Sequence, residues 1–148
     1  MINYKNKDDY FKTIPNSDYG TKKWYIIDAS KKPLGRVSTV VAAVLQGKHK
    51  VDYHPSVDMG DYVIVINAET MHLDSWAVGH PKYRAYNPGR PGSSLKLFFE
   101  KIPKRIVESA VRNMLPNGLR QKFYNRLKVY SGSEHPHVAQ NPILLEWN

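Results

Sequence analysis

Tyr62-Val-Ile-Val-Ile66 is the stretch that decides the fold, because five apolar residues follow one another there without a polar interruption. A strand with one face in water alternates apolar and polar residues, so an unbroken run predicts a strand covered on both faces. Trp24-Tyr-Ile-Ile27 is a second short apolar run, after a polar leader, and it predicts another buried strand.

A helix is expected between these two strands. Pro33 suits a first helical turn, where its missing N–H costs nothing, and Gly47 is a good C-terminal stop. Because a strand–helix–strand crossover is almost always right-handed, the segment predicts a βαβ unit with two parallel strands. The residues at helical spacing between the two signals are Leu34, Val37, Val41, Val44 and Leu45.

The downstream half predicts two more helices and a strand. A second helix is expected from Ile102 to Leu115, since Pro116 forbids continuation. Leu119, Phe123 and Leu127 indicate a third helix, and Lys128-Val-Tyr130 a last short strand. After Ser131 recurrent Gly and Pro make regular structure doubtful.

We interpret the chain as three parts: an N-terminal extension over 1–22, one domain over 23–142 and a tail over 143–148.

The amino-acid composition excludes several classes of protein and site. The chain has 148 residues, which suits one domain, and it has no cysteine, so disulfides, thiolate zinc sites and a cysteine nucleophile are excluded. No window approaches the roughly 18 apolar residues of a membrane span, and residues 1–12 lack the apolar stretch of a secretory signal. The net charge of +9 favours an acidic partner, nucleic acid first.

The charges are segregated along the chain. Residues 31–50 carry five Lys/Arg and no acid, whereas 51–81 carry five acids and no Lys or Arg. Residues 82–105 then hold seven Lys/Arg against Glu100, and 112–128 hold five with no acid. Basic blocks that converge on one face would match a phosphate backbone, and aromatics such as Tyr83 within them favour RNA. Separate solvated faces are the alternative.

Pro33-Leu-Gly-Arg36 is the strongest candidate for a phosphate contact. It opens a helix, where free N–H groups favour an anion, and Arg36 can make a paired contact with a phosphate. Lys48-His-Lys50 adds donors after the end of the same helix, although cations there also complement the helix dipole.

Catalytic and metal sites are weakly supported. Glu134-His-Pro-His137 offers two neighbouring histidines, fewer than the three or four ligands that zinc needs. The loop Asn87-Pro-Gly-Arg-Pro-Gly-Ser93 could cradle a phosphate but lacks the known nucleotide-binding patterns. The acids Asp52, Asp58 and Asp61 resemble a catalytic cluster, but a turn with satisfied backbone groups is the stronger interpretation. No catalytic residue, metal or cofactor is therefore expected.

Several longer motifs carry a family resemblance. From about Lys23 to Pro142 the chain resembles the ribosomal protein L13 family of the large subunit, in its bacterial and plastid form. The motifs, in order, are Trp24–Ala29, Leu34–Arg36, Gly47–Lys50, Val57–Glu69, Gly89–Gly92, Ile102–Pro103, Arg105–Glu108, Met114–Pro116, Leu127–Tyr130, Glu134–His137 and Ala139–Gln140.

The resemblance implies an α/β fold, with three layers (α/β/α) around a mainly parallel four-stranded sheet. It implies no enzyme activity, binding to large-subunit rRNA during assembly, and neighbouring ribosomal proteins as further partners, with no membrane and no small-molecule substrate. Gly89-Arg-Pro-Gly92 and Ser56–Gly60 are most similar to cyanobacterial and plastid members, which implies a plastid ribosome. The expected rRNA-binding residues are Arg36, Lys48, His49, Lys50, Tyr83, Arg84, Gly89, Arg90, Gly92, Lys104, Arg105, Arg112, Arg120, Lys122, Arg126, Lys128, His135 and His137.

Two other hypotheses stay open at this point. An α/β enzyme could use the Gly89–Gly92 loop for a phosphorylated substrate, which requires a closed pocket with titratable groups. A regulatory RNA-binding protein away from the ribosome would need the same basic surface as a ribosomal protein.

Overall fold

The computed structural model describes residues 22–51, 53–73, 84–85, 96–97 and 103–146. Two 3₁₀ turns, Ala68–Thr70 and Val138–Gln140, interrupt the loops. The helices and strands in chain order are β1 (Trp24–Asp28), α1 (Leu34–Gln46), β2 (Tyr62–Ile66), β3 (Arg84–Ala85), β4 (Lys96–Leu97), α2 (Pro103–Met114), α3 (Arg120–Asn125), β5 (Leu127–Val129) and β6 (Ile143–Leu144).

The main sheet has four strands in the order β5-β2-β1-β6, and every pairing in it is parallel. β1 and β2 run in register from Trp24 opposite Tyr62 to Asp28 opposite Ile66. The α/β class, the four-stranded parallel sheet and the βαβ unit predicted from the sequence are thereby confirmed. The short strands β3 and β4 form a separate antiparallel pair.

The core lies between the helices and one face of the sheet. Ile27, Val63 and Val65 on that face share one buried cluster with side chains of all three helices. Ile64 alternates to the opposite face and is also fully buried, so β2 is covered on both faces, as its unbroken apolar run predicted. The helical members of the cluster are Val37, Val41, Ala42, Val44, Leu45, Val107, Val111 and Phe123.

α1 ends where the sequence predicted, at Gly47. This glycine has φ of 81°, in the left-handed region that glycine adopts at little cost. Its N–H donates to Val44 O, and Lys48 N–H donates to Ala43 O, both at 3.0 Å. These two bonds form a Schellman cap, which satisfies carbonyls that the helix itself leaves free.

Three boundaries differ from the sequence prediction. Leu127 belongs to β5, not to the third helix, because it lies beside Val63 in the sheet. The predicted tail contributes β6, whose Ile143 pairs with Tyr25 of β1. Lys22, placed in the predicted N-terminal extension, is buried against the domain, with 3% of its side chain exposed. Backbone pairing and burial by distant residues decide all three, and neither is visible in a local pattern.

Candidate nucleic-acid interface

α2 and α3 present a group of cations around one tyrosine–glutamate pair. The Tyr124 hydroxyl donates to Glu108 Oε2 at 3.1 Å. Arg112 lies over the Tyr124 ring, 5.7 Å from its centroid, and Lys104 Nζ is 3.9 Å from Glu108 Oε1. Burial, and next the charge of Glu108, raise the pKa of Tyr124 above 10.0, so its hydroxyl stays a donor at neutral pH. With Arg105 nearby, these residues form the α2–α3 basic surface (Lys104, Arg105, Arg112 and Tyr124).

The start of α1 places Arg36 in the solvent. Pro33 caps the helix in an extended conformation without a side-chain hydrogen bond, and Leu34 N–H is already bonded to His72 O at 3.3 Å. Arg36 is exposed in the first turn, as the phosphate-contact prediction requires. Three residues on, Thr39 Oγ1 lies 4.0 Å from Met114 Sδ, at the end of α2. The first turns of α1 therefore adjoin the end of α2 that carries Arg112.

The turn after α1 divides its three basic residues between two roles. Lys50 Nζ lies 2.7 Å from Asp61 Oδ1, and His49 Nε2 lies 3.0 Å from Asp61 Oδ2. Asp61 is fully buried, so the Lys50 ammonium compensates a carboxylate that would otherwise be costly to bury, and the His49 ring lies beside it. Lys48 is exposed and is the member of the turn best placed to meet an external anion.

Arg126, one of the predicted RNA contacts, lies in the interior of the domain. Only 5% of the residue is exposed. Nη2 lies 2.5 Å from Asp58 Oδ1 and 3.5 Å from Leu45 O, and Nη1 donates to Gly60 O at 3.0 Å. A guanidinium held this way binds three parts of the fold together and is not accessible to a polyanion.

Lys22 completes this internal polar cluster. Its ammonium donates to Gly60 O at 2.8 Å and to Asp58 O at 3.1 Å. Burial, and next the charge of Arg126, lower the pKa of Lys22 below 10.5. Local sequence patterns did not predict the roles of Lys22, Asp58 and Asp61. A usable signal was present, since these acids stand in the one cation-free block of the chain between two basic ones.

Two further predicted residues have a partly structural role. Arg120 donates through Nη2 to Leu115 O at 3.3 Å and also contacts Asn117, so it caps the end of α2. Lys128 lies in the middle of β5 opposite Ile64, on the sheet face away from the helix cluster. Lys122 is exposed on α3 and keeps its predicted surface position.

The histidine loop packs on its own domain. His137 Nε2 lies 2.9 Å from the Tyr130 hydroxyl, and its ring is 5.2 Å from that of Trp24. Trp24 in turn stacks on Tyr62 with ring centroids 4.3 Å apart. The Nδ1 atom of His135 is buried without a hydrogen-bond partner. Within the ranges that the structure describes, no group of three or more His, Cys, Asp or Glu side chains could hold a metal ion.

The remaining predicted residues lie between Tyr83 and Gly92 in the sequence. Tyr83, Gly89, Arg90 and Gly92 lie outside the described residues. Arg84 begins β3 and pairs through its backbone with Leu97. Their contact with RNA stays a prediction.

The fold and the exposed helix cations together define a class, that of small basic α/β proteins with positive charge displayed on their helices. Among the described helices, none is long and apolar enough to cross a membrane. The chain belongs to the ribosomal protein L13 family, whose family model, described as "Ribosomal protein L13", matches residues 22–136. This family consists of structural proteins of the large ribosomal subunit, not enzymes, and the role of this chain is accordingly a structural ribosomal one.

Individual relatives cover nearly the whole chain. Large ribosomal subunit protein uL13c of Trieres chinensis is 46% identical over 134 residues, which cover 90% of this chain and 94% of the relative. Large ribosomal subunit protein uL13 of Synechocystis is 48% identical over 141 residues, covering 92% and 91%. The uL13 of Caldicellulosiruptor bescii is 49% identical over 130 residues, covering 84% and 91%.

Proposed function

We propose that this protein binds large-subunit rRNA, and thereby supports subunit assembly and translation, through the α2–α3 basic surface and the start of α1. One observation carries the proposal. None of Arg36, Arg105, Arg112 and Lys122 has a carboxylate partner among the described residues, although Lys22, Lys50 and Arg126 do. The fold uses part of its positive charge internally and leaves these four exposed helix cations for an external anion.

The helix geometry places the start of α1 beside the end of α2. Arg36 is one turn before Thr39, and Thr39 touches Met114, two residues after Arg112. The basic ends of α1 and α2 are therefore neighbours across this contact. Cations spread over adjoining helices can follow successive phosphates, whose neutralisation releases counterions and stabilises the complex.

The chemistry of the surface suits RNA. Arginine presents a planar fork of donors that matches phosphate oxygens in pairs. Tyr124 adds an aromatic ring beside Arg112, of the kind on which unstacked bases pack. Glu108, the one acid of the cluster, accepts from Tyr124 and is near Lys104, so its charge is locally compensated.

The proposed interface consists of exposed helix residues, Lys48 and the predicted residues between Tyr83 and Gly92. Arg120 is left out because it caps the end of α2, and contact of Lys128 with RNA stays a prediction. Arg126 is left out because it is buried, and His135 and His137 because they pack within the domain. Lys50 and His49 belong to the proposed interface only through N–H groups that are not bonded to Asp61. The residues carried into the proposal are Arg36, Lys48, Lys104, Arg105, Arg112, Lys122 and Tyr124, together with the loop residues Tyr83, Arg84, Gly89, Arg90 and Gly92.

Binding of the full chain to large-subunit rRNA, measured over a range of salt concentrations, tests the proposal. The double variant Arg105→Gln/Arg112→Gln should weaken binding and make the plot of log affinity against log salt shallower by about 2, since each lost phosphate contact removes about one unit of slope. Lys23→Gln, which removes one exposed charge at the start of β1, is the control and should leave the slope unchanged. An unchanged slope in the double variant would remove α2 from the interface.

We further propose that the ribosome concerned is that of a plastid. The similarity to uL13c of Trieres chinensis supports this, and the uL13 proteins of Synechocystis and Prochlorococcus marinus match about as closely, at 48% and 46% identity. Fractionation of source cells tests both the association with large subunits and the location in plastids. The chain should sediment with large subunits, and those subunits should come from purified plastids and not from the surrounding cytoplasm.

A further inference from the structure

The last strand of the sheet has an open edge with apolar side chains on both sides. β6 pairs with β1 alone in the four-stranded sheet, and no described strand lies on its other side. Ile143 and Leu144 are 50% and 56% exposed. Because successive side chains of a strand point to opposite faces, these two apolar groups lie on opposite faces of the sheet at one edge. A single further strand would cover both.

The backbone of β6 is oriented to accept such a strand. Leu145 N–H donates to Ile26 O at 2.9 Å, so the polar groups of Leu145 point toward β1. Backbone groups of adjacent residues in a strand point in opposite directions, and the N–H and C=O of Leu144 therefore point away from the sheet. An extended peptide could continue the ladder there, as in β-strand addition.

The C-terminal segment that carries this edge differs in charge from the rest of the chain. From Val129 to Asn148 the sequence has two acids, Glu134 and Glu146, and no Lys or Arg, although the whole chain has 22. Glu134 and Glu146 are both exposed. Glu146, two residues after β6, therefore favours a cationic partner over phosphate at this edge. A second copy of this chain would bring together two segments that both lack cations, so it is a poorer match.

We infer that the β6 edge is a docking site for an extended, basic segment of another large-subunit protein, which adds as a strand with apolar side chains alternating toward Ile143 and Leu144. The inference rests on the structural ribosomal role of the chain, but it does not require the proposed rRNA surface. It assigns two different parts of the molecule to different partners: the helices to nucleic acid and the sheet edge to protein.

Site-specific photo-crosslinking in assembled subunits tests this docking site. Full-length chains carrying a benzophenone side chain at Ile143, at Leu144, or at the exposed Gln121 of α3 are incorporated into large subunits, irradiated and analysed by mass spectrometry. The probes at Ile143 and Leu144 should both label the same segment of one other protein, and that segment should contain Lys or Arg alternating with apolar residues. The Gln121 probe should label rRNA.

Each result decides one of the two proposals. Labelling of rRNA, of a second copy of this chain, or of nothing by both edge probes overturns the docking site. If the edge probes label a protein segment that is acidic or helical, the inferred partner chemistry is wrong. Failure of the Gln121 probe to label rRNA counts against the proposed rRNA surface and leaves the edge result standing. A chain with Leu144→Lys, which places a cation on the edge, should lose the protein crosslink from Ile143 at least tenfold, whereas Val138→Lys, at another exposed apolar residue, should keep it.

Discussion

Arg126 Nη2 lies 2.5 Å from Asp58 Oδ1, and both side chains are buried. The same guanidinium bonds Gly60 O in the loop before β2 and Leu45 O at the end of α1. A cation at that helix end also complements the partial negative charge of the helix C-terminus. One arginine therefore joins the end of α3, the end of α1 and the loop leading to β2.

Removing the carboxylate from this pair should strongly destabilise the fold. Asp58→Ala leaves Arg126 buried without its anion, and breaking a buried pair in this way costs about 3–5 kcal/mol. Urea unfolding of the full chain measures the loss. Lys104→Ala, which breaks the exposed contact with Glu108, is the control and should cost less than about 1 kcal/mol. A loss that small for Asp58→Ala would show that Arg126 finds other compensation.

Gly35, in the first turn of α1, and Gly60, in the loop before β2, should respond oppositely to alanine. At Gly60 an added Cβ would lie 1.6 Å from Leu45 O, so the loop or the helix would have to move. We expect Gly60→Ala to cost about 3 kcal/mol or more, as overpacking of a close backbone contact does. At Gly35 no atom lies within 4 Å of the added Cβ, and Gly35→Ala should stabilise the helix by up to about 1 kcal/mol. Thermal unfolding of both variants checks this, and equal effects would contradict the close approach at Gly60.

Stability should depend on Asp28 in acid. Burial alone would raise the pKa of Asp28, but hydrogen bonds from Asn67 and Ser30, each 2.9 Å long, outweigh it and hold the pKa below 3.8. The unfolded state then binds more protons than the folded state, so this stabilisation is complete above the unfolded pKa and is lost as the pH falls below about 3.8. The stability difference between wild type and Asp28→Asn should shrink over that range. A difference that stays constant from pH 6 to pH 3 would exclude a role for the ionised carboxylate.

Substitution of Lys48 should weaken rRNA binding and substitution of Lys50 should lower stability, although the two lysines are only two residues apart. Lys50 neutralises the buried Asp61, whereas Lys48 is exposed. Lys50→Met should therefore lower the free energy of unfolding, because it removes a partner of a buried charge. Lys48→Met should leave stability unchanged and reduce the salt dependence of rRNA binding by about one unit of slope. The reverse pattern would exchange the roles assigned to the two lysines.

Local sequence patterns predicted the helices and strands whose ends are set by residues nearby in the sequence. The unbroken apolar run of β2 and the Pro33 and Gly47 signals around α1 placed both elements within a residue of their observed ends. The end of α3 was not predictable in this way, since Leu127 continues the helical spacing of Leu119 and Phe123 but pairs with Val63. β6 is two residues long and exposed, and such a strand has no apolar pattern of its own.

The candidate RNA-binding residues also divide into those that local patterns predicted correctly and those that depend on distant residues. Arg36, Arg105, Arg112 and Lys122 are exposed on helices, where the spacing of apolar residues already directs polar ones outward. Arg126 has the same chemistry and lies in the same basic block, but it is buried. No rule of spacing distinguishes it, because its partners Asp58 and Gly60 lie more than sixty residues earlier in the chain.

The amino-acid sequence by itself determined the βαβ unit, the ends of its helix, the excess of positive charge and the family, because hydrophobic spacing, proline, glycine and charge act locally or as totals. Only the tertiary structure decided which cations face the solvent and which neutralise Asp58 and Asp61 in the interior. It also decided that the cation-free C-terminal segment forms the open edge of the sheet. The physical reason is that ion pairing and strand pairing join residues distant in sequence, and their free energies depend on burial that exists only after the chain has folded.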